Sequence, residues 1–387
     1  MTWLFSARTG LAVAVAAVLG FAARADGVEL ERPSKLLLTP AGNLLVAEVR
    51  TATSPANSGR VSIVDPAGNR RTLIDGLPSA PTNAANTPSG PSGLFLRGRT
   101  LFVAIGEGNP TLAGPVPRTE IPNPAVASPI FSSVLAVHFS VAVERKTTGI
   151  ELTLADHVAL KAGDRLVRTD AGRRKITIEL VVDFPDYVPE PVPALAANVR
   201  HSHPYGVVAD DEYLYVPDGG YNLVHKVDIE SGQFATLVSF PPSPNPTPVG
   251  PRTVENVPTS IRWDGSRLLV TLLSGFPFVA GLSEVRTVDP DTGATATLIA
   301  GLSSAIDVIP VTVDRDTVGY LTLEYSLAHL AGGPGRLMLF NASGTPIAVL
   351  ADTLITPSSL ALDARSRPPT IVVSQIGPGN LVTVPLQ

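Results

Sequence analysis

The stretch YLYVPDGGYNLVHKVD, residues 213–228, decides how this chain is read. One apolar run ends on Asp218, two glycines follow, and a second apolar run ends on Asp228. Standing alone, an acid closing a buried strand would suggest chemistry; in a recurring pattern it marks a place in a repeating unit. Similar runs are LLVAE (44–48), LFVAI (101–105), LLVTL (268–272), YLTLE (320–324) and TIVVS (370–374). Each follows a short start motif: Pro33-Ser34, Pro91-Ser92, Pro204-Tyr205, Pro258-Thr259, the degenerate Ala305-Ile306, and Pro357-Ser358.

After each run comes a Gly- or Asn-rich break, then a third strand and a turn, as in GRVSIVDPAG from Gly59, NLVHKVDIESG from Asn222 and SEVRTVDPDTG from Ser283. A fourth strand follows, such as RTLIDGL from Arg71 or ATLIAGL from Ala296. Four short strands over about fifty residues make the size of a propeller blade. The runs are apolar on both faces, as expected where each sheet is sandwiched between two others. Proline occupies 37 of 387 positions, against a usual share of about 5%, which suits many turns and argues against long helices. The expected fold is all-β, a six-bladed β-propeller.

Two units depart from the pattern. The second runs from SSVLAVHF (132–139) to KITIELVVDF (175–184) with extra residues between, so an inserted hairpin or small flap is expected over about 141–174. The sixth ends one strand short, at NLVTVPLQ. The segment GVELER from Gly27 is expected to supply that strand and close the ring, which removes two exposed sheet edges.

The first residues, with Arg8 ahead of an apolar run and small residues around Ala23–Ala25, read as an export signal cut after Ala25. Residues 26–387 then form the propeller, outside the membrane, in a secreted or periplasmic bacterial protein expected to be a monomer. The net charge of −5 becomes more negative once Arg8 and Arg24 are lost, so nucleic acid is not expected as a partner. With no cysteine, thiol catalysis and disulfide staples are both absent.

HPYGV (203–207), LYVPDGGYNLVHKVD, SGFPF (274–278), AID (305–307) and PSSLALD (357–363) together resemble the ScyD/ScyE family of secreted, NHL-repeat-like propellers, named from scytonemin biosynthesis clusters. The likeness extends over nearly all of residues 27–387. It implies an exported six-bladed propeller but no established reaction. The chain departs from the family at Leu272, where a glutamate is expected, and at His203, where asparagine is commoner.

In a propeller the ends of the second strands encircle one mouth of the axial channel. They read Glu48, Ile105, Asp218, Leu272, Glu324 and Ser374, acidic in alternate units. Three such carboxylates suit a shared Ca²⁺; the alternative is that each acid caps the amides of its own turn. Loops entering the first strands add His201, His203, Tyr205, Thr259 and Asp307 to the same face, with Phe276 and Phe278 beside Pro277 as walls for an apolar ligand. Asp307 stands where the other units place Lys35, Gly93, Gly206, Ser260 and Ser359. No residue is assigned as catalytic. The leading expectation is a scaffold presenting this face to a small-molecule or protein partner. The alternatives are a Ca²⁺-dependent lactonase or other hydrolase and, behind it, a quinone-dependent dehydrogenase.

Overall fold

A computed structural model describes residues 24–25, 28–51, 53–82, 87–190 and 198–386. They form a six-bladed β-propeller. Blade one holds strands Pro33–Leu38, Leu44–Glu48, Gly59–Val64 and Arg70–Leu77. Blade three is built around the opening stretch: Tyr213–Asp218 and Leu223–Asp228 pair antiparallel, with Val216 opposite His225 and Asp218 opposite Leu223. Blades four, five and six begin at Asn256, Ala305 and Pro357, each near its start motif.

The double-sided apolar runs have a direct cause. Successive strand residues point to opposite faces, and each face of a blade meets a neighbour. Leu45 and Ala47 pack toward blade two, whereas Val46 packs toward blade six. In blade three, Leu214 and Val216 face blade two while Tyr215 faces blade four. Among the described residues every pair of adjacent blades shares its own hydrophobic cluster.

The start motif also has a physical role. Its short hydroxyl donates to the first carbonyl of the next blade: Ser34 Oγ to Pro91 O at 2.7 Å, Ser92 Oγ to Pro204 O at 2.6 Å and Thr259 Oγ1 to Ala305 O at 2.9 Å. Ser358 Oγ does the same to Pro33 O at 2.6 Å, joining the last blade to the first. Tyr205 and Ile306, which occupy the equivalent places in blades three and five, have no short hydroxyl to give.

Two expectations need correction. The strand that completes blade six is Arg24–Ala25, with Arg24 opposite Thr383 and Ala25 opposite Val382, not the run from Gly27. That following run closes the ring by burial instead: Val28 and Leu30 sit in the cluster between blades six and one, and Leu30 N donates to Gly379 O at 2.8 Å. Residues 1–23, which carry most of the expected export signal, lie outside the described residues.

The insertion is more than the expected hairpin or small flap: its last strand turns back antiparallel on Lys175–Asp183, but two helices precede it. It contains helix α1, Val141–Lys146, helix α2, Leu154–Lys161, and a fifth strand, Leu166–Thr169, on the outside of blade two. Thr153 and Asp156 form a reciprocal capping box that starts α2. The insertion reaches back to blade one, where Asp75 N donates to Ile150 O and Leu152 N to Asp75 O, so it covers that blade's outer edge. Glu144, fully buried, accepts from Thr39, Asn43 and Arg99, and His157 bridges Ser128 and Gly76 O.

Candidate functional site: the mouth of a plugged channel

The axis is filled. A Cβ on Gly93 of blade two would lie 2.7 Å from Gly206 Cα of blade three, so only glycine lets these innermost strands meet. Across from them, Asp307 of blade five is wholly buried. Its carboxylate accepts from Lys35 Nζ at 3.1 Å, Arg262 Nη2 at 2.9 Å, Ser260 Oγ at 2.5 Å and Ser359 Oγ at 2.7 Å. The N–H groups of Val308 and Leu360 complete the shell. Burial works against the charged carboxylate, but Arg262 and Lys35 outweigh it and hold the Asp307 pKa well below the usual range. The Lys35 ammonium is lowered to about 8 by burial and by Arg262, with Asp307 opposing. Asp307 therefore belongs to an axial plug rather than to the ligand-facing set in which the sequence placed it.

The three acids that end second strands are not assembled into one site. Glu48 accepts from Ser62 Oγ at 2.5 Å, Glu31 N at 2.6 Å and Arg70 Nη2 at 2.8 Å. Glu324 accepts from Ser303 N at 2.6 Å and Arg336 Nε at 2.5 Å. Asp218 Oδ1 accepts from the N–H groups of His203, Gly220 and Tyr221 at 2.8, 2.9 and 3.0 Å, and Oδ2 from Ser202 Oγ at 2.5 Å. Burial would raise the Asp218 pKa, but the nearby His225 and these donors lower it. Each acid is thus engaged within its own blade and adjoining loops, and Asp218 caps turn amides. Among the described residues no group of three or more His, Cys, Asp or Glu side chains is placed to hold a metal ion.

What does converge lies one layer above the plug. His203 Nδ1 is 3.2 Å from Glu107 Oε2, and its ring is 5.5 Å from that of Tyr205. Burial disfavours the His203 cation, but the hydrogen bond and charge of Glu107 outweigh it, aided by Asp218, and the pKa is raised. Tyr205 crosses from blade three to pack on the cluster of Ile306 and Tyr325 between blades five and six. Its phenol is pushed up to about 12 by burial, with Tyr325 and Asp307 adding and Arg32 opposing. Tyr325 lies 5.2 Å from the ring of His329, which stacks at 3.9 Å on Phe278 of blade four. Phe276 meets Phe278 edge-on and is 45% exposed, the rim residue of the pair.

Of the expected site residues, the structure brings His203, Tyr205 and Phe278 to this mouth, with Phe276 at its edge. His201 lies farther out, held by Thr111 and Glu120, and Thr259 is spent on the inter-blade hydrogen bond. Sequence reasoning missed Arg32 and Tyr325. Both had a positional signal: one immediately precedes a start motif and the other immediately follows the end of a second strand. Elsewhere, two open clefts of about 480 and about 380 Å³ lie on the opposite face, lined respectively by Tyr213, Lys226 and Phe234 and by Thr100, His138 and Glu179.

No family model matches the sequence, and no curated protein matches it. Among solved structures, the chain is similar to a putative oxidoreductase (glucose dehydrogenase) from Thermus thermophilus, with 14% identity, 95% of this chain and 100% of that chain covered, and a TM-score of 0.51. It is also similar to virginiamycin B lyase from Staphylococcus aureus, with 10% identity, 93% and 98% coverage and a TM-score of 0.46. A putative 6-phosphogluconolactonase from Bacteroides uniformis matches with 12% identity, 89% and 78% coverage and a TM-score of 0.44. At such identities the likeness is one of fold, and fold does not carry activity.

Proposed function

We propose that this chain is an exported, ScyD/ScyE-like propeller that binds a small molecule at the mouth of its channel. The observation that supports this reading is the convergence of Glu107, His203, Tyr205, Phe278, Tyr325 and His329 above a plugged axis. Four blades contribute to that set, and Lys35, Asp307 and Arg262 close the floor. A floor with aromatic walls and few polar groups is the general form of a small-molecule site. The chain contributes shape and stacking; no reaction is needed to account for the arrangement.

The calcium-dependent hydrolase alternative is not favoured, because the oxygens of Glu48, Asp218 and Glu324 are already taken by arginines, hydroxyls and amides. Nothing in the described residues speaks for the quinone-dependent alternative.

Mass spectrometry of small molecules released from the purified protein tests the proposal. The wild type should release a compound that is absent from a Phe278→Ala/His329→Ala double variant of the same fold. Release of the same compounds from both proteins, or of none after incubation with extracts of the source cells, would count against the reading.

A further inference from the structure

The mouth described above holds a cation whose donors are not all used. Arg32 stands immediately before the start motif of blade one, and its Nε is buried without a hydrogen-bond partner. Among the described residues no carboxylate forms an ion pair with it; its neighbour Glu31 is paired instead with Arg50 and Arg60. Its charge is felt at two phenols from other blades, Tyr205 of blade three and Tyr325 of blade five, and opposes the upward push of burial on each. Neither phenol hydroxyl has a hydrogen-bond partner among the described residues. One guanidinium and two hydroxyls, from alternate blades, are therefore left with donors to give at the same opening.

The charges beneath reinforce this. Lys35 and Arg262 share the one buried carboxylate of Asp307 in the plug, and Arg32 adds a further positive charge above them. His203 is balanced by Glu107. The axis thus carries excess positive charge inside a protein whose overall charge is −5. Low-dielectric walls focus such a field at an opening, and the half-buried Arg32, with its Nε covered and unpartnered, is a donor that an anion can satisfy. A guanidinium fork flanked by hydroxyls matches the planar two-oxygen geometry of a carboxylate. The stacked rings of Phe278 and His329, with Tyr325 beside them, offer flat apolar contact to whatever carries that carboxylate.

We infer that the ligand of this mouth is an aromatic carboxylate, its carboxylate held by Arg32 with Tyr205 and Tyr325 and its ring lying against Phe278 and His329. This rests on the reading of the mouth as a small-molecule site and adds to it the sign of charge and the anchoring residue.

The test compares two probes of nearly equal shape, 2-naphthoate and the neutral 2-naphthamide, by isothermal titration calorimetry on the wild-type protein near neutral pH. The wild type is expected to bind the anion about tenfold more tightly or better, the scale of a charge-assisted hydrogen bond. Arg32→Gln should reduce the naphthoate affinity to that of the amide and leave the amide unchanged, whereas Arg32→Lys should keep part of the preference. Tyr205→Phe and Tyr325→Phe, which keep the rings, should each weaken naphthoate binding a fewfold. Phe278→Ala should weaken both probes alike, which locates them at the mouth. Equal affinity for the two probes in the wild type, or a preference that survives in folded Arg32→Gln, overturns the assignment while leaving a binding mouth intact. Failure of both probes to bind overturns the assignment together with the reading on which it rests.

Discussion

Lys35 of blade one and Asp307 of blade five form an ion pair of 3.1 Å on the propeller axis. Arg262 of blade four takes the other carboxylate oxygen at 2.9 Å, so one acid serves two cations. The two sides of this cluster are therefore unequal. Asp307→Asn leaves two buried cations without a counter-charge and is expected to cost about 3–5 kcal/mol. Lys35→Met leaves Asp307 still bound by Arg262, two serines and two amides, and should cost clearly less. Urea unfolding of both variants checks the ordering; equal losses would mean that the cluster is not organised around its carboxylate.

The same cluster gives stability a pH dependence with two limbs. Lys35 titrates at about 8 in the folded chain, lowered by burial and Arg262, and near about 10.4 when unfolded. Between those values the unfolded chain holds more protons, so the contribution of Lys35 is least favourable below pH 8 and improves as pH rises through that window. The Asp307 carboxyl lies well below the usual range because Arg262 and Lys35 outweigh its burial. Its contribution is complete above about pH 5 and is lost as the medium becomes more acid. Unfolding midpoints from about pH 3 to about pH 10 should show both limbs in the wild type, and Lys35→Met should abolish the alkaline one while only weakening the acid one, because Arg262 still lowers the Asp307 pKa.

At the mouth, Glu107 is the group that most favours the protonated form of His203, against its burial. The raised pKa of His203 means that the pair's contribution is full below about pH 6.5 and fades as pH rises through the folded value. Glu107→Gln removes the charge and should lower the His203 pKa. Ring-proton NMR titration reads this directly, and an unchanged midpoint would show that the imidazole is not governed by Glu107.

The hydroxyl that joins blade six to blade one is a small group with a measurable effect. Ser358→Ala leaves the Pro33 carbonyl without its 2.6 Å donor in a buried place, which should cost about 1–3 kcal/mol. Ser34→Ala and Ser92→Ala should fall in the same range, since each breaks an equivalent bond. Losses within error of zero for all three in thermal or urea unfolding would remove the hydroxyls from the account of ring closure.

The grip of the insertion on blade one depends on Gly76. Its φ is +74°, and a Cβ there would lie 2.1 Å from the carbonyl oxygen of Leu152. Gly76→Ala is therefore expected to push the insertion off the blade edge, at a cost of at least about 2 kcal/mol. Limited proteolysis should then cut between α1 and α2 in the variant before it cuts the wild type. Unaltered cleavage would show that the contact is not what holds the insertion down.

The blades were legible in the sequence because a strand buried on both sides must be apolar at every position, and that leaves short runs at regular intervals. Asp218 was legible for a related reason: its hairpin is local, and its partners Gly220 and Tyr221 lie within three residues. Lys35 and Asp307 were readable as equivalent positions but not as partners, because only ring closure brings blades one and five within reach of each other. Asp307 consequently went to the ligand face in the sequence reading, although its charge is consumed in the plug. Arg32 and Tyr325 were missed because their positions, one residue outside a start motif and one past a strand end, do not say what they face; their shared opening exists only in three dimensions. The helix of the insertion did leave a trace, since TLAD at 153–156 is a capping-box pattern, but strand-like neighbours on both sides concealed it.

The chain of hydroxyl ties between blades has two gaps. It links six to one, one to two and two to three, and separately four to five, but Tyr205 and Ile306 leave three–four and five–six without a tie of this kind. With respect to these ties the propeller is thus a long arc and a short arc, and other contacts serve at the two seams: Ser359 Oγ and Leu360 N of blade six donate to Asp307 of blade five, and Trp263 Nε1 of blade four donates to Ala209 O of blade three. Arg32 and Tyr205 stand on the long arc and Tyr325 on the short one. A ligand held by all three, as inferred above, would act as a rivet, so that occupancy and the tightness of the ring become one equilibrium: whatever loosens the seams would lower affinity, and whatever fills the mouth would oppose the parting of the two arcs.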